Sequence, residues 1–349
     1  MLKSWFARNA IFKAKYTKWA LLAIVSFISL LHLTKKYTIV LNLSTEEAHN
    51  IWTGKELLET LDAERKRIRS DLVNFTFPAE SLTRSIKELL PEEGGTQHMT
   101  IIISYWRSGS TFLGDILNSH PATVYFYEPF RRYGQQQLRS PPNSEEAYQL
   151  LAKLLNSDYS DTEAYLDFEK NSNSFKEKNI PLHRVCKHEG IKCFEPHFLS
   201  QLMKLYPFML LKTTRLRLSL IEPFLNSLRV LRYEEVAFEP QKKTKELLSF
   251  MGLELHRSVL EFLITHTKFE AGGSFDTFRN STATALAWRS SSPERLRDVQ
   301  SHCEIAIRLW GYRVISNFTD INNFSPVKPN FTVTQHFRPS AEEGLNCRL

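Results

Sequence analysis

The sequence predicts an α/β fold in which a P-loop-like central parallel sheet is flanked by helices and preceded by an N-terminal transmembrane helix and a stem. Three observations lead to this prediction. A short apolar run is followed by a loop of small residues and then by apolar residues at helical spacing. Further short apolar runs alternate with helical segments, which is typical of a parallel sheet. A longer apolar run lies near the N-terminus between basic residues.

The N-terminal segment accounts for the basic balance of the chain. Residues 1–36 contain seven Lys or Arg residues and no acidic residue, which equals the whole net charge of +7. The rest of the chain is therefore formally neutral, which argues against a nucleic-acid partner. The apolar run from Trp19 to Leu33 predicts an anchor over residues 19–34, and the basic residues before it keep residues 1–18 in the cytosol. A cleaved signal peptide is the alternative, but no small-residue cleavage site follows the run.

The remainder of the chain carries the marks of a lumenal protein. Four cysteines are compatible with an oxidising compartment, where cysteines form disulfides. Sequons of the form N-x-[ST] occur only after the anchor and crowd the last segment, which predicts a glycosylated tail over residues 317–349. The sequons begin at Asn42, Asn74, Asn280, Asn317, Asn323 and Asn330.

The segment between the anchor and the apolar runs reads as a stem. Residues 35–97 are polar and charged, and residues 55–72 have helical spacing with mixed charges. This pattern predicts a stem helix that does not belong to the core. The principal domain then spans residues 98–316.

The order of the elements within that domain follows from their residue patterns. Continuous apolar runs predict buried strands, and helical spacing with caps predicts helices. The predicted strands are Thr100–Ser104, Val124–Tyr127, Phe208–Leu211 and Arg229–Val236, and the predicted helices follow Thr111, begin near Pro240 and stop at Gly252, or run from Ser292 to Gly311.

The loop Arg107-Ser108-Gly109-Ser110-Thr111 has the composition of an anion site. Glycine lets successive N–H groups converge, the following helix adds its positive end, and arginine offers a charged fork. The loop lacks the lysine of a nucleotide-triphosphate P-loop, and this makes a nucleotide kinase a weak alternative. An ordinary strand-to-helix turn with a serine cap is the alternative without a ligand.

The segment from Ile103 to Phe130 closely resembles the 5′-phosphosulfate-binding region of the Golgi carbohydrate 6-O-sulfotransferases, which act on galactose, N-acetylglucosamine or N-acetylgalactosamine. Three later stretches also resemble that family: Leu210–Leu218, Arg229–Pro240 and the part from Ala287 to Tyr312. The resemblance implies transfer of a sulfuryl group from 3′-phosphoadenylyl sulfate to a sugar hydroxyl, without a metal. It also implies that the donor phosphosulfate binds Arg107, Ser108, Gly109, Ser110, Thr111, Phe112 and Leu113.

A general base is needed to take the proton of the acceptor hydroxyl, and Glu128 is the first candidate. It follows a predicted strand at the sheet edge where α/β proteins place ligands, and partial burial would raise its pKa. A structural carboxylate paired with Arg131 or Arg132 is the alternative. His120 is a second candidate, although Asn-Ser-His-Pro is more typical of a helix end.

One part of the family pattern is missing. Related enzymes carry a strand leading to R-D-P-R and a serine-arginine pair, which hold the 3′-phosphate of the donor. Here Pro223–Leu228 runs directly into Arg229 without that segment, which indicates an internal deletion near residues 224–230. Arg215, Arg217 and Arg279 are possible substitutes as phosphate ligands, and surface charges are the alternative.

Cys186, His188, Cys193 and His197 have the residue types of a zinc site, but a disulfide between Cys186 and Cys193 is the simpler interpretation of a lumenal chain. The pairing of Cys303 and Cys347 cannot be read from the sequence.

The sequence therefore predicts a single-pass type II Golgi membrane sulfotransferase with a lumenal domain and a glycan or glycoprotein acceptor. A catalytically inactive relative that binds glycans or regulates other proteins is the alternative. The acceptor sugar and its hydroxyl are not readable, and the oligomeric state, including a homodimer, is left open.

Overall fold

The computed structural model describes residues 54–186, 193–268 and 277–329. The predicted cytosolic segment, the anchor over 19–34 and most of the predicted tail lie outside these residues. Among the described residues, no helix is both long enough and apolar enough to cross a membrane. A compact unit begins at Leu58 and contains each of the described strands.

A three-stranded parallel sheet forms the centre of this unit. The strands are β1 (His98–Ile103), β2 (Thr123–Tyr127) and β3 (Phe208–Thr213), in the order β1-β3-β2. All six residues of β3 are buried, as expected for a central strand of continuous apolar sequence. The first three predicted strands and the parallel α/β class are confirmed.

Helices surround the sheet and alternate with its strands. In chain order they are α1 (Gly54–Asp71), α2 (Ser110–Asn118), α3 (Asn143–Leu155), α4 (Glu163–Lys170), α5 (Asn173–Lys178), α6 (Ile180–Val185), α7 (Pro196–Lys204), α8 (Leu218–Ile221), α9 (Tyr233–Phe238), α10 (Pro240–Phe250), α11 (Arg257–His266), α12 (Ser281–Leu286), α13 (Pro293–His302) and α14 (Glu304–Leu309).

The two faces of the sheet are covered by different helices. Side chains alternate along β2, so Tyr125 faces α2, where its hydroxyl lies against Gly114. Phe126 points to the opposite face and stacks on Phe175 of α5 with 6.1 Å between ring centroids. Because both faces are covered, the carboxyl ends of the strands are the part of the sheet open to a ligand.

Helix α1 is helical as predicted, but the expectation that it stays clear of the core is wrong. Leu61 and Ile68 are 1% and 4% exposed. Glu64 lies on the same face, because residues three and four apart are neighbours on a helix. It accepts hydrogen bonds from the Arg184 guanidinium and from the Tyr206 hydroxyl. The apolar positions within this charged segment therefore form a packing face.

The predicted fourth strand, Arg229–Val236, is not formed. Residues 229–232 form no strand, and α9 begins at Tyr233. The Glu235 carboxylate accepts hydrogen bonds from the Arg232 backbone N–H and side chain, at 3.1 Å each. This local capping interaction favours the first turn of a helix over a strand.

Two features of the later chain concern the cysteines. The predicted helix from Ser292 to Gly311 is divided at Cys303 into α13 and α14. Cys303 is disulfide-bonded, and Cys347 lies outside the described residues. Cys186 and Cys193 form the predicted disulfide, with Cα atoms 5.7 Å apart.

Candidate anion-binding site

The loop between β1 and α2 turns sharply at two positions. Arg107 has φ of 69°, and Gly109, which precedes the first residue of α2, has φ of 81°. A Cβ atom at Gly109 would lie 2.0 Å from Cδ2 of Tyr233. Glycine is therefore required both for the backbone conformation and for the close approach of the tyrosine ring.

The residues predicted to bind the sulfate donor fall into an exposed group and a buried group. Arg107 and Ser108 are exposed, whereas Ser110 is buried in the first turn of α2. Phe112 is buried and meets the Tyr233 ring edge-on, with centroids 6.3 Å apart. The backbone N–H of Leu113 donates to the Gly109 carbonyl at 3.2 Å. Phe112 and Leu113 thus hold the loop in place, while Arg107 and Ser108 are open to solvent.

Glu128 follows β2 directly and is 3% exposed. Its Oε2 accepts from the Thr214 N–H at 3.1 Å, from the Thr214 hydroxyl at 3.0 Å and from Arg215 Nη1 at 2.8 Å. Its Oε1 lies 2.9 Å from Lys212 Nζ. The paired carboxylate that the sequence left open is present, but its partners come from β3 and the residues after it, not from Arg131 or Arg132.

Lys212 is 3% exposed and occupies the centre of the strand ends. Its Cα pairs in register with Tyr127 of β2 and with Ile102 of β1. Its ammonium lies 4.4 Å from the centre of the Tyr127 ring and 3.5 Å from the Thr111 hydroxyl. A buried lysine from the central strand therefore reaches the first turn of α2.

Arg215 completes this group beside the loop. Its Nε donates to the Gly134 carbonyl at 2.6 Å, and its guanidinium lies 5.1 Å from the centre of the Trp106 ring. Burial lowers the pKa of Arg215 from its usual value, although Glu128 opposes the effect. Lys212 and Arg215 are two cations, and Glu128 is one anion, so the group carries one net positive charge. Water is largely excluded from this region, and the charge therefore favours a bound anion.

The backbone of the site also stands out. Glu128 has φ of 53°, a left-handed conformation that is uncommon for a residue with a side chain. Arg107 shares this property. Such positions cost free energy and cluster at ligand sites.

The other sequence candidates lie apart from this group or are already engaged. His120 is at the far end of α2, 4% exposed, with its ring edge-on to Phe208 at 4.8 Å, and burial lowers its pKa to about 3. Arg217 is exposed before α8. Arg279 lies near Tyr233, whose pKa it lowers against the effect of burial. Arg279 is therefore, with Arg215, a candidate phosphate ligand on the side of the loop residues.

The zinc interpretation does not fit, because two cysteines joined in a disulfide cannot ligate a metal as thiolates. Within the part of the chain that the structure describes, no group of three or more His, Cys, Asp or Glu side chains is arranged for a metal ion.

Sequence reasoning missed Lys212 and the role of Arg215. Lys212 ends an apolar run, and the period of two along β3 places it on the same face as Leu210. That period was a usable signal, since the same face carries α2. The contact between Tyr233 and Gly109 had no sequence signal, because it joins residues far apart in the chain.

Comparison with known proteins agrees with the resemblance that the sequence showed. Residues 225–301 match the family model described as the sulfotransferase domain. The chain is 30% identical over 101 residues to carbohydrate sulfotransferase 1 of Danio rerio, covering 28% of this chain and 24% of that one. It is 32% identical over 99 residues to carbohydrate sulfotransferase 3 of Homo sapiens, covering 28% and 21%.

Carbohydrate sulfotransferase 6 of Homo sapiens is 32% identical over 111 residues, which are 30% of this chain and 28% of that protein. The matched part therefore spans about a quarter of the length of these curated relatives. No solved structure matches the chain. The family model begins at residue 225, within the segment where the sequence indicates a deletion, and it includes Tyr233, which packs on the loop.

Proposed function

We propose that this chain is a carbohydrate sulfotransferase that uses 3′-phosphoadenylyl sulfate and transfers the sulfuryl group to a sugar hydroxyl, the 6-hydroxyl by family resemblance. The proposal is based on one observation: three features lie together at the strand ends. They are the loop after β1, the Glu128–Lys212–Arg215 group and the first turn of α2. The match of residues 225–301 to the sulfotransferase domain model, which includes Tyr233 beside the loop, supports this reaction class.

In the proposed reaction, the sugar oxygen attacks sulfur in line with the bridging oxygen of the donor. A new S–O bond forms, the bond from sulfur to the bridging oxygen breaks, and its electron pair leaves on adenosine 3′,5′-bisphosphate. The hydroxyl proton passes to a base. Such a transfer needs positioning and stabilisation of the developing charge rather than a covalent intermediate.

The residues of the site divide these tasks. Arg107, Ser110 and Thr111 hold the phosphosulfate with their side chains, and the amides of the loop add N–H donors. Glu128 remains the candidate base, through Oε1, which accepts from one residue, whereas Oε2 accepts from two. Its contacts support a second role as the anchor of Lys212 and Arg215.

The acceptor and the location are part of the same proposal. The relatives' names support a carbohydrate acceptor, here a glycan or glycoprotein, and the basic N-terminal residues, the apolar run and the sequons support a type II Golgi membrane protein. The Cys186–Cys193 disulfide supports an oxidising compartment. Asn74, Asn317 and Asn323 are exposed, as glycan attachment requires.

The full chain in detergent tests the function directly. Labelled sulfate should pass from 3′-phosphoadenylyl sulfate to oligosaccharides containing galactose, N-acetylglucosamine or N-acetylgalactosamine. Arg107→Ala and Ser110→Ala should abolish transfer, whereas Arg257→Ala, an exposed arginine paired with Glu261, should leave it unchanged. Transfer that survives both loop substitutions would refute the assignment of the loop.

A second candidate function is favoured by the missing R-D-P-R segment and by the three-stranded sheet. In this case the chain is an inactive lumenal relative that binds glycans or regulates other proteins. Folded protein that binds the oligosaccharides but neither adenosine 3′,5′-bisphosphate nor the donor would identify it.

A further inference from the structure

We propose that Lys212 is a positioning residue of this site: it supplies from β3 the lysine that the loop lacks, and it directs the Thr111 hydroxyl toward a bound phosphate or sulfate oxygen. This inference rests on the proposed function and adds a residue to it. The loop itself contains an arginine but no lysine.

The contacts of Lys212 determine how the Thr111 hydroxyl is oriented. An ammonium group can only donate hydrogen bonds. Its contact of 3.5 Å with the Thr111 oxygen therefore uses a lone pair of that oxygen, and the hydroxyl proton must point elsewhere. The Thr111 side chain is half-buried at the start of α2, where the helix N-terminus favours an anion. The Tyr127 hydroxyl lies 3.5 Å from the same oxygen and can donate to its second lone pair. With Lys212 and Tyr127 both donating to it, the Thr111 hydroxyl keeps its own proton for a ligand.

The burial of Lys212 explains why a bound anion is favoured beside it. A charged lysine that is 3% exposed costs free energy unless it is paired. Glu128 pairs with it at 2.9 Å, and the Tyr127 ring face lies 4.4 Å away. Glu128 also pairs with Arg215 at 2.8 Å, so one carboxylate faces two cations. A bound anion supplies the missing negative charge.

The register explains why this lysine reaches the loop. Lys212 lies opposite Tyr127, the last residue of β2, and opposite Ile102, next to the last residue of β1. Period-two alternation places it on the face covered by α2. Its long side chain then extends along the strand ends to the first turn of that helix. Thr213, the next residue, points to the other face and cannot take this role.

The experiment compares three variants of the full chain. Lys212→Met removes the cation, Lys212→Arg keeps it, and Arg184→Met is the matched control, because it takes a cation from the buried Glu64 carboxylate, away from the loop contacts. Binding of adenosine 3′,5′-bisphosphate is measured by calorimetry and folding by circular dichroism. Lys212→Met should weaken binding by about 10- to 100-fold, the cost of losing a charge-assisted hydrogen bond. Lys212→Arg should recover most of the loss.

The outcomes separate this inference from the proposed function. If the wild-type chain binds the bisphosphate but Lys212→Met behaves like Arg184→Met, the inference is wrong and the proposed function stands. If the wild-type chain binds inorganic sulfate but no nucleotide, and Lys212→Met does not bind sulfate, the inference stands and the proposed function falls. If it binds neither, both are wrong.

Discussion

Glu128 joins three parts of the site through one carboxylate. Its oxygens receive donors from Lys212, Thr214 and Arg215, all at 2.8 to 3.1 Å. Replacing it with glutamine removes the charge that balances two buried cations and presents an amide N–H₂ to them. Loss of one member of a buried charge group is costly because its partners stay behind unpaired.

Glu128→Gln therefore distinguishes a role of Glu128 as the base from a role as the anchor of Lys212 and Arg215. If Glu128 is only the base, turnover falls by about 10²- to 10⁴-fold and donor affinity is unchanged. We expect both to fall, because the substitution also releases Lys212. The check is the turnover number together with the dissociation constant of adenosine 3′,5′-bisphosphate. An unchanged affinity with low turnover would assign the base role alone, and an unaffected rate would remove Glu128 as the base.

Glu169, in α4, is another buried carboxyl group. It is 0% exposed, and Arg131 Nη2 lies 3.5 Å from its Oε2. Burial raises its pKa from 4.5 to about 7, and Arg131 opposes the rise. The folded chain therefore holds the Glu169 proton more tightly than the unfolded chain does. The stability that this proton contributes is complete below pH 4.5 and is lost as the pH rises through about 7.

Glu169→Gln should remove this pH dependence. Relative to the variant, the wild-type chain should lose stability between pH 5 and pH 8, by an amount of the order of 3 kcal/mol. Thermal midpoints across that range provide the measurement. Glu146→Gln is the control, since Glu146 pairs with Arg132 at 3.0 Å but is half exposed. Parallel curves for wild type and Glu169→Gln would show that Glu169 does not titrate in this range.

At the scale of elements, the loop before α2 is fixed by the ring of Tyr233 from α9. Gly109 and Gly94 have nearly the same φ, 81° and 85°, but a Cβ at Gly94 would meet no atom within 4 Å. Gly94→Ala thus pays only for the left-handed backbone, about 1 kcal/mol. The two glycines separate backbone strain from steric contact.

Gly109→Ala should cost more than Gly94→Ala, because the alanine Cβ and the Tyr233 ring overlap and one must move. We expect a lower thermal midpoint and a loss of bisphosphate binding of at least about tenfold, while Gly94→Ala binds normally. Equal effects of the two substitutions on binding would show that Tyr233 does not set the shape of the loop.

Helix α1 offers a similar comparison on a single element. Leu61 is 1% exposed and Leu58 is 57% exposed. If α1 is part of the domain, Leu61→Ala should destabilise the protein by about 2–5 kcal/mol, the range for buried leucines. Leu58→Ala should change stability by less than about 0.5 kcal/mol. Urea denaturation measures both, and small equal effects would return α1 to the stem.

At the scale of the molecule, the sequence predicted the parts that depend on local patterns. Continuous apolar runs located β1, β2 and β3, and the small residues after β1 located the loop. The sequence did not predict the features that depend on contacts between residues far apart in the chain. Arg232 and Glu235 cap a helix where a strand was predicted, and Glu64 binds Arg184 and Tyr206 across the core. The identity of the residues that gather around Glu128 depends on strand order and register, which a single sequence does not specify.

The absence of the R-D-P-R segment has a consequence that concerns the whole molecule. The donor has a 5′ end, which the loop and Lys212 are proposed to hold, and a 3′-phosphate, which the missing segment holds in relatives. Arg215 fits that role poorly, because its Nε donates to the Gly134 carbonyl and its Nη1 to Glu128, which leaves only Nη2 for a phosphate. Arg217 is exposed, and Arg279 near Tyr233 is the remaining candidate.

We therefore expect this chain to bind adenosine 3′,5′-bisphosphate and adenosine 5′-phosphate with affinities that differ by less than about threefold, since a phosphate without a paired cation gains little in water. Calorimetry on the full chain gives the ratio, and Arg107→Ala, which should weaken both ligands equally, is the control. A preference of tenfold or more for the bisphosphate would contradict the expectation. If Arg279→Ala then removed that preference, Arg279 would be the ligand that replaces the absent segment.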